Sequence, residues 1–127
     1  MNFLLDTHVM LWFLNDDAKL APEVRDEIEK CNQVFVSIIS LWEVAIKLNI
    51  GKLKLKLDFR DLSKALDDSN IIILNVIVSD FSAYINLPLH HKDPFDRILI
   101  SQAINRSMIL VSQDSIFNQY PVKILEL

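Results

Sequence analysis

Short apolar runs alternate along the chain with segments of helix-like pattern. Each run is bounded by polar residues and is too short for a helix, which indicates strands that are buried on both faces. The runs predict five strands, at Phe3–Leu5, Val34–Ser37, Ile71–Val76, Ile109–Ser112 and Val122–Leu125. The intervening segments predict five helices, at Thr7–Leu14, Pro22–Lys30, Ser40–Ile50, Phe59–Asp68 and Pro94–Ser107.

Strands that alternate with helices are typical of a parallel sheet. The predicted class is therefore α/β, with a central parallel sheet of about five strands and helices on both faces. The 127 residues suit one domain, spanning 1–127, and suffice to bury a core. In such folds, functional sites form beyond the carboxyl ends of the strands.

Composition narrows the range of functions. The single glycine, Gly51, excludes a glycine-rich phosphate loop or a dinucleotide fingerprint, and the single cysteine, Cys31, cannot form an internal disulfide. No apolar run approaches the roughly 18 residues of a membrane span, and the first residues, MNFLLDTH, lack the basic region of a signal peptide. We therefore expect a cytoplasmic protein without membrane contact. The net charge of −4 argues against broad electrostatic binding of nucleic acid but permits a local basic patch over an acidic pocket.

Four acidic residues occupy equivalent positions relative to the predicted elements. Asp6 and Asp114 lie just past two predicted strands, and Glu43 and Asp96 fall in the first turns of two predicted helices. Each has a local explanation, because an acid at such a position can cap a helix or favour its dipole. Taken together, they are predicted to meet at one edge of the sheet, where parallel strands end and the helices that follow them begin.

Glu43 is the most informative of these acids. It follows Ser40 by three residues, a capping-box spacing that predicts Ser40 as the N-cap of the helix. The segment is so apolar that we expect a helix buried nearly all round, with Trp42 and Trp12 in the core. Buried carboxylates that share one edge repel each other and take up protons unless a cation compensates. Mg²⁺ or Mn²⁺ suits such oxygen ligands, and the pattern therefore predicts metal-assisted hydrolysis of a phosphodiester.

The stretches that carry these acids resemble the PIN-domain nucleases, and among them the bacterial VapC-type toxins of toxin–antitoxin pairs. The stretches are LLDTH, SLWEVAIK, DPFDRILISQA and LVSQD, and together they cover nearly the whole chain. The resemblance implies a Mg²⁺- or Mn²⁺-dependent ribonuclease, usually a homodimer, that is inhibited by a cognate antitoxin protein. It also implies that Asp6, Glu43, Asp96 and Asp114 form the catalytic and metal-binding quartet.

Some other residues near the quartet have two possible roles. Asp93 precedes Pro94, so it is expected to cap the helix that begins there, with an outer-shell ligand as the alternative, whereas Asp96 is expected to be the metal ligand. Ser112 stands where the resembled family often has Thr or Ser, and we expect it to hydrogen-bond the acids. His91 is expected to lie in a loop, with a contact to substrate as the alternative.

Basic residues near the quartet suggest contacts with phosphate. Arg97, next to Asp96, is expected either to steer a phosphate or to pair with an acid. Lys47, Lys52 and Lys54 are read either as a solvated, lysine-guarded surface or as contacts to RNA phosphates.

The predicted function is that of a metal-dependent endoribonuclease of the toxin type, with RNA as substrate. The alternative is a PIN-like module that binds RNA or protein without cleaving it. An RNA cleavage assay with and without Mg²⁺ separates the two.

Overall fold

A computed structural model describes residues 1–126, and Leu127, the last residue of the predicted domain, lies outside the described residues. The five strands are β1 (Asn2–Leu5), β2 (Gln33–Ser37), β3 (Ile71–Leu74), β4 (Ile109–Ser112) and β5 (Ile124–Glu126). They form one sheet in the order β3-β2-β1-β4-β5, and every adjacent pair is parallel. The predicted sheet is thus confirmed, with a shorter third strand and a fifth strand that starts two residues later than predicted.

The helices follow the predicted pattern, with one addition. They are α1 (Thr7–Leu14), α2 (Pro22–Lys30), α3 (Ile38–Asn49), α4 (Leu62–Asp68), α5 (Val78–Ile85) and α6 (Pro94–Asn105), with short 3-10 turns at Phe59–Asp61 and Ser115–Gln119. Helix α5 was not predicted. It begins after Ile77, which offers no polar capping side chain, so its start lacks the usual local signal.

The two faces of the sheet bury different helices. Alternate residues of β1, such as Phe3 and Leu5, join a core that α1, α2, α3 and α4 complete. Leu4, on the opposite face, joins a second core with Leu99 and Ile100 of α6. Helix α5 packs mainly on α6. The expected covering of both faces is confirmed, and it explains why the strands are apolar nearly throughout.

The start of α3 differs from the prediction. Ser37, not Ser40, is the N-cap, and its Oγ accepts a hydrogen bond from the backbone N–H of Ile39 at 3.1 Å. Ser40 is buried in the first turn, and its Oγ has no partner among the described residues. Glu43 therefore lies in the second turn rather than the first. The helix starts earlier because it follows β2 without an intervening loop.

The expectation of an almost fully buried α3 is wrong. Trp42 is 58% exposed, and Ile38 and Ile50 are exposed as well. The indole of Trp42 lies edge-to-face on the ring of Phe95 at 5.3 Å, on the outer side of the molecule. Trp12 is partly buried against the core, as expected. One side of α3 faces the sheet, and the other side remains open because no helix of the described chain covers it fully.

The topology leaves a crevice at the carboxyl end of β1. From β1 the chain proceeds to β2 and β3 on one side, and then crosses to β4 on the other side. Loops that leave β1 and β4 therefore diverge, which is the arrangement that forms ligand sites in open parallel sheets. Within residues 1–126, no helix has both the length and the apolar character needed to cross a membrane.

Candidate active site

Asp6 lies at the crevice and is fixed by two donors. Its Oδ1 accepts a hydrogen bond from the backbone N–H of Val9 at 2.9 Å, so Asp6 is the N-cap of α1. Its Oδ2 accepts a hydrogen bond from the Oγ of Ser112 at 2.5 Å. The same Oγ accepts a hydrogen bond from the backbone N–H of Asp114 at 3.0 Å. Ser112, at the end of β4, thus joins Asp6 to the segment that carries Asp114, and the hydrogen bond that we expected from Ser112 is present.

Glu43 reaches the same edge from α3. Its Oε1 accepts a hydrogen bond from the Oγ1 of Thr7 at 2.6 Å, and Thr7 is the residue that follows Asp6. Its Oε2 forms an ion pair with the Nζ of Lys47 at 2.9 Å, one turn along the helix. The side chain of Glu43 is 13% exposed. These contacts hold Glu43 against the start of α1.

Asp93 and Asp96 make different contacts at the start of α6. Asp93 is the N-cap of α6, since its Oδ1 accepts a hydrogen bond from the backbone N–H of Phe95 at 2.9 Å. Asp96, in the first turn, does not cap the helix, and its Oδ2 lies 2.6 Å from the Nε2 of His91. One potential ligand atom from each of His91, Asp93 and Asp96 lies within 4.8 Å of the others, a spacing that can hold a metal ion.

Burial raises the pKa values of two of these acids. The pKa of Asp6 rises above its ordinary 3.8 because the carboxyl is buried, even though the bonds from Ser112 and Val9 lower it. The pKa of Asp96 rises to about 6, mainly through burial, and the negative charges of Asp93 and Glu43 add to the rise while the bond with His91 opposes it. Glu43 also raises the pKa of Asp6. Glu43 therefore acts electrostatically on both Asp6 and Asp96, which places the three acids in one region of negative potential.

Asp114 is the most open of the four acids. It caps the 3-10 turn at Ser115–Gln119 by accepting a hydrogen bond from the backbone N–H of Ile116 at 3.0 Å. With Asp6, His8 and Trp12 it lines an open hollow of about 480 Å³. A separate cavity of about 790 Å³ lies at the opposite edge of the sheet, where β2 and β3 begin, and none of the four acids lines it.

The basic residues near the site differ in their burial and in the groups that they contact. Arg97 pairs with no acid among residues 1–126, contrary to one of its two expected roles. It is 5% exposed and donates hydrogen bonds to the carbonyl oxygens of Pro88 and His91. A guanidinium buried on carbonyls is not available to steer a phosphate. Lys47 lies beside Glu43, whereas Lys52 and Lys54 are exposed on the irregular segment after α3, where no lysine-guarded edge strand forms.

Two contacts of the site had no sequence signal strong enough to find them. Thr7 donates to Glu43 across 36 positions of sequence, and nothing local marks that pairing. The sequence predicts His91 only as a loop residue or a substrate contact, and its bond to Asp96 depends on how the loop folds back over α6. A histidine five residues ahead of an acid is a weak hint by itself.

The donor set suits a divalent cation with oxygen ligands. The carboxylate oxygens at this sheet edge belong to Asp6, Glu43, Asp96 and Asp114. Burial raises the pKa values of Asp6 and Asp96, and a cation beside them would favour their ionised forms. Asp93 offers a further carboxylate oxygen within 4.8 Å of a ligand atom of Asp96. The residues therefore fit a divalent metal ion bound through oxygen ligands.

Comparison with known proteins gives a consistent picture. The family model of the PIN domain matches residues 3–123. No curated protein matches the chain. Similar solved structures include VapBC2 from Rickettsia felis bound to a DNA fragment from its promoter, with a TM-score of 0.74 and 19% identity over 99% of this chain and 98% of that chain. DNA-bound VapBC from Salmonella typhimurium gives a TM-score of 0.72 and 14% identity over 99% and 98% of the two chains. FitAcB from Neisseria gonorrhoeae gives 0.63 and 16% over 98% and 96%. At these identities the similarity to solved structures concerns the fold.

Proposed function

The chain belongs to the PIN-domain family, and we propose that it is a metal-dependent endoribonuclease that hydrolyses RNA phosphodiester bonds. The observation that carries the proposal is the convergence of Asp6, Glu43 and Asp96 on one sheet edge, where burial and mutual repulsion raise the pKa values of Asp6 and Asp96. Acids whose pKa values are perturbed in this way cluster at functional sites.

Asp6, Glu43, Asp96 and Asp114 would hold Mg²⁺ or Mn²⁺, directly or through water. When bound, the ion supplies positive charge for the developing transition state and lowers the pKa of a bound water. Ser112 and the N-terminus of α1 keep Asp6 oriented. Thr7 and Lys47 hold the carboxylate of Glu43 against the same edge. Fixed carboxylates of this kind need no reorganisation when the reaction begins.

Lysines beside the acids would attract the RNA backbone. Lys47 pairs with Glu43 at the site, and the exposed Lys52 and Lys54, which follow the end of α3, would form a basic strip with it. Such contacts position a nucleic acid without reading its sequence. Because the net charge is −4, we expect binding that is local to this strip and weakened by salt.

A cognate antitoxin and a second copy of the chain are the proposed protein partners, with the chain as the toxin of a toxin–antitoxin pair acting in the cytoplasm. Two structures that share the fold are VapBC complexes bound to DNA. The chain also exposes large apolar side chains, including Val78, Ile85 and Leu89. Apolar surface of this kind is typical of protein contacts.

The test is cleavage of a mixed-sequence RNA by the full chain with Mg²⁺, with Mn²⁺ and with a chelator. Cleavage should require the metal, and Asp6→Asn and Asp96→Asn should reduce it to the rate without metal. Asp58→Asn is the matched control, because Asp58 also caps a helical turn but lies in an exposed position away from the site. RNA binding without metal-dependent cleavage would instead establish the non-catalytic module.

A further inference from the structure

We propose that His91 is a positioning residue that holds the carboxylate of Asp96 in place for the cation, and that the buried pair Arg97 and Tyr120 presents His91 to it. The inference deepens the proposed function and rests on it. It assigns a role in the site to a histidine and to a tyrosine that lie outside the acidic quartet.

The contact between His91 and Asp96 is short and specific. The Nε2 of His91 lies 2.6 Å from the Oδ2 of Asp96, and both side chains are about one quarter exposed. Because an ionised carboxylate only accepts hydrogen bonds, we assign the proton to Nε2. The hydrogen bond occupies Oδ2 of Asp96 and leaves Oδ1 to bind the cation. Carboxylates that bind metals are commonly oriented in this way by a second group.

Arg97 fixes the loop that carries His91. Its Nη1 donates to the carbonyl oxygens of His91 at 3.1 Å and Pro88 at 2.9 Å, and its Nη2 donates to that of Leu87 at 3.5 Å. The guanidinium also lies over the ring of Tyr84, 5.0 Å from its centre. Burying a charge is costly unless it is well bonded. The guanidinium of Arg97, the residue after Asp96, is bonded to the backbone of this loop and holds it in place.

Tyr120 holds the same loop from the other side. Its buried hydroxyl accepts a hydrogen bond from the backbone N–H of His91 at 2.7 Å and lies 3.5 Å from the Nη1 of Arg97. Tyr120 directly follows the 3-10 turn that Asp114 caps. The hydroxyl therefore connects the backbone at His91 to the segment that carries Asp114. Both the N–H and the carbonyl of His91 are bonded, which fixes the direction of its side chain.

The neighbouring histidine shows that the arrangement is specific to one position. The ring of His90 lies edge-on to the ring of Tyr120, with centroids 5.4 Å apart, and His90 is exposed. It makes no hydrogen bond to an acid among residues 1–126. The two adjacent histidines therefore make different contacts. His91 bonds to an acid of the site, whereas His90 packs on the ring of Tyr120. His90 is therefore a suitable control.

The test compares His91→Ala, His91→Gln and His91→Asn with the wild-type chain and with His90→Ala. The amide nitrogen of glutamine falls near the position of the imidazole Nε2, whereas that of asparagine is one carbon short of it. We expect His91→Ala and His91→Asn to weaken Mn²⁺ affinity, measured by calorimetry, by about 10–100-fold. The loss in RNA cleavage should appear in kcat more than in KM. His91→Gln should recover most of both losses, and His90→Ala should match the wild type.

The outcomes distinguish this inference from the proposed function. If the wild type cleaves RNA and His91→Ala equals it in Mn²⁺ affinity and kcat, only the inference is wrong. If all three His91 variants lose the same amount, His91 acts by packing and the inference is also wrong. If the wild type binds Mn²⁺ without cleaving RNA, the proposed function fails while the order of Mn²⁺ affinities still decides the role of His91. A wild type that neither binds Mn²⁺ nor cleaves RNA overturns both. Thermal unfolding of each variant identifies any that fails to fold.

Discussion

Replacing Asp96 by asparagine should make the protein more stable at pH 7, although we expect it to remove activity. The carboxylate of Asp96 is largely buried, and the negative charges of Asp93 and Glu43 act on it. At pH 7 the folded chain must keep this group ionised against both effects. Asparagine has nearly the same shape and carries no charge, so it avoids that cost.

The size of the effect follows from the pKa of Asp96, which folding raises from 3.8 to about 6. At about 1.4 kcal/mol per unit of pKa, the ionised carboxylate destabilises the folded state by roughly 3 kcal/mol. The gain on substitution should be smaller, about 1–3 kcal/mol, because a neutral amide makes a weaker bond to His91. Between about pH 4 and pH 6 the folded state binds the additional proton. The stability of the wild type relative to Asp96→Asn should therefore be highest below pH 4 and should fall as the pH rises through 6.

Urea unfolding of both proteins across pH 4 to 7.5 measures this difference in the free energy of unfolding. The curves should converge at the acid end and separate by pH 7. Asp93→Asn is the companion variant, since it keeps the helix cap and removes one repelling charge, so it should give a smaller gain. Mg²⁺ at pH 7 should narrow the difference by stabilising the wild type. Equal stability of the wild type and Asp96→Asn at pH 7, or a difference that does not change with pH, would refute the reasoning.

The structure supports three further predictions, each measured by urea unfolding and the third also by Mn²⁺ calorimetry. Ser40→Ala should leave the free energy of unfolding unchanged or raise it, because the buried Oγ of Ser40 has no partner among the described residues. Ser37→Ala should lower the free energy of unfolding by about 1 kcal/mol, because it removes the N-cap of α3. The reverse order would show that Ser40 is the functional cap. Asp80→Asn should lower the free energy of unfolding by roughly 2–4 kcal/mol, because this fully buried carboxylate accepts hydrogen bonds from the guanidinium of Arg106 at 3.1 Å and from the backbone N–H of Ile77, just before α5. An unchanged value would mean that this contact does not hold α5. Tyr120→Phe should lower the free energy of unfolding by about 1 kcal/mol, because it removes the hydrogen bond from His91. It should also weaken Mn²⁺ affinity, as His91→Ala does. An unchanged Mn²⁺ affinity would show that Tyr120 has no role in the site.

The sequence by itself determined the features that depend on neighbouring residues. Apolar runs of strand length predicted the five strands, because both faces of a parallel sheet are buried and the signal lies within each run. The Asp93–Pro94 pair predicted the start of α6, because a cap and a proline act on the adjacent turn. The position of Asp6 after β1 placed it at the carboxyl edge, since that follows from strand direction alone.

Only the tertiary structure decided which side chains meet. Thr7 donates to Glu43 across 36 positions of sequence, and the backbone N–H of His91 donates to the hydroxyl of Tyr120 across 29. Arg97 shows the same limit, since its place in the chain suggested a phosphate or an acid and the folded loop supplied carbonyl oxygens instead. Helix α5 lacks a polar N-cap side chain, and its Asp80 is bound by a guanidinium from the end of α6. Such pairings depend on sheet order and loop closure, which bring distant segments together, and no local pattern of residues encodes those distances.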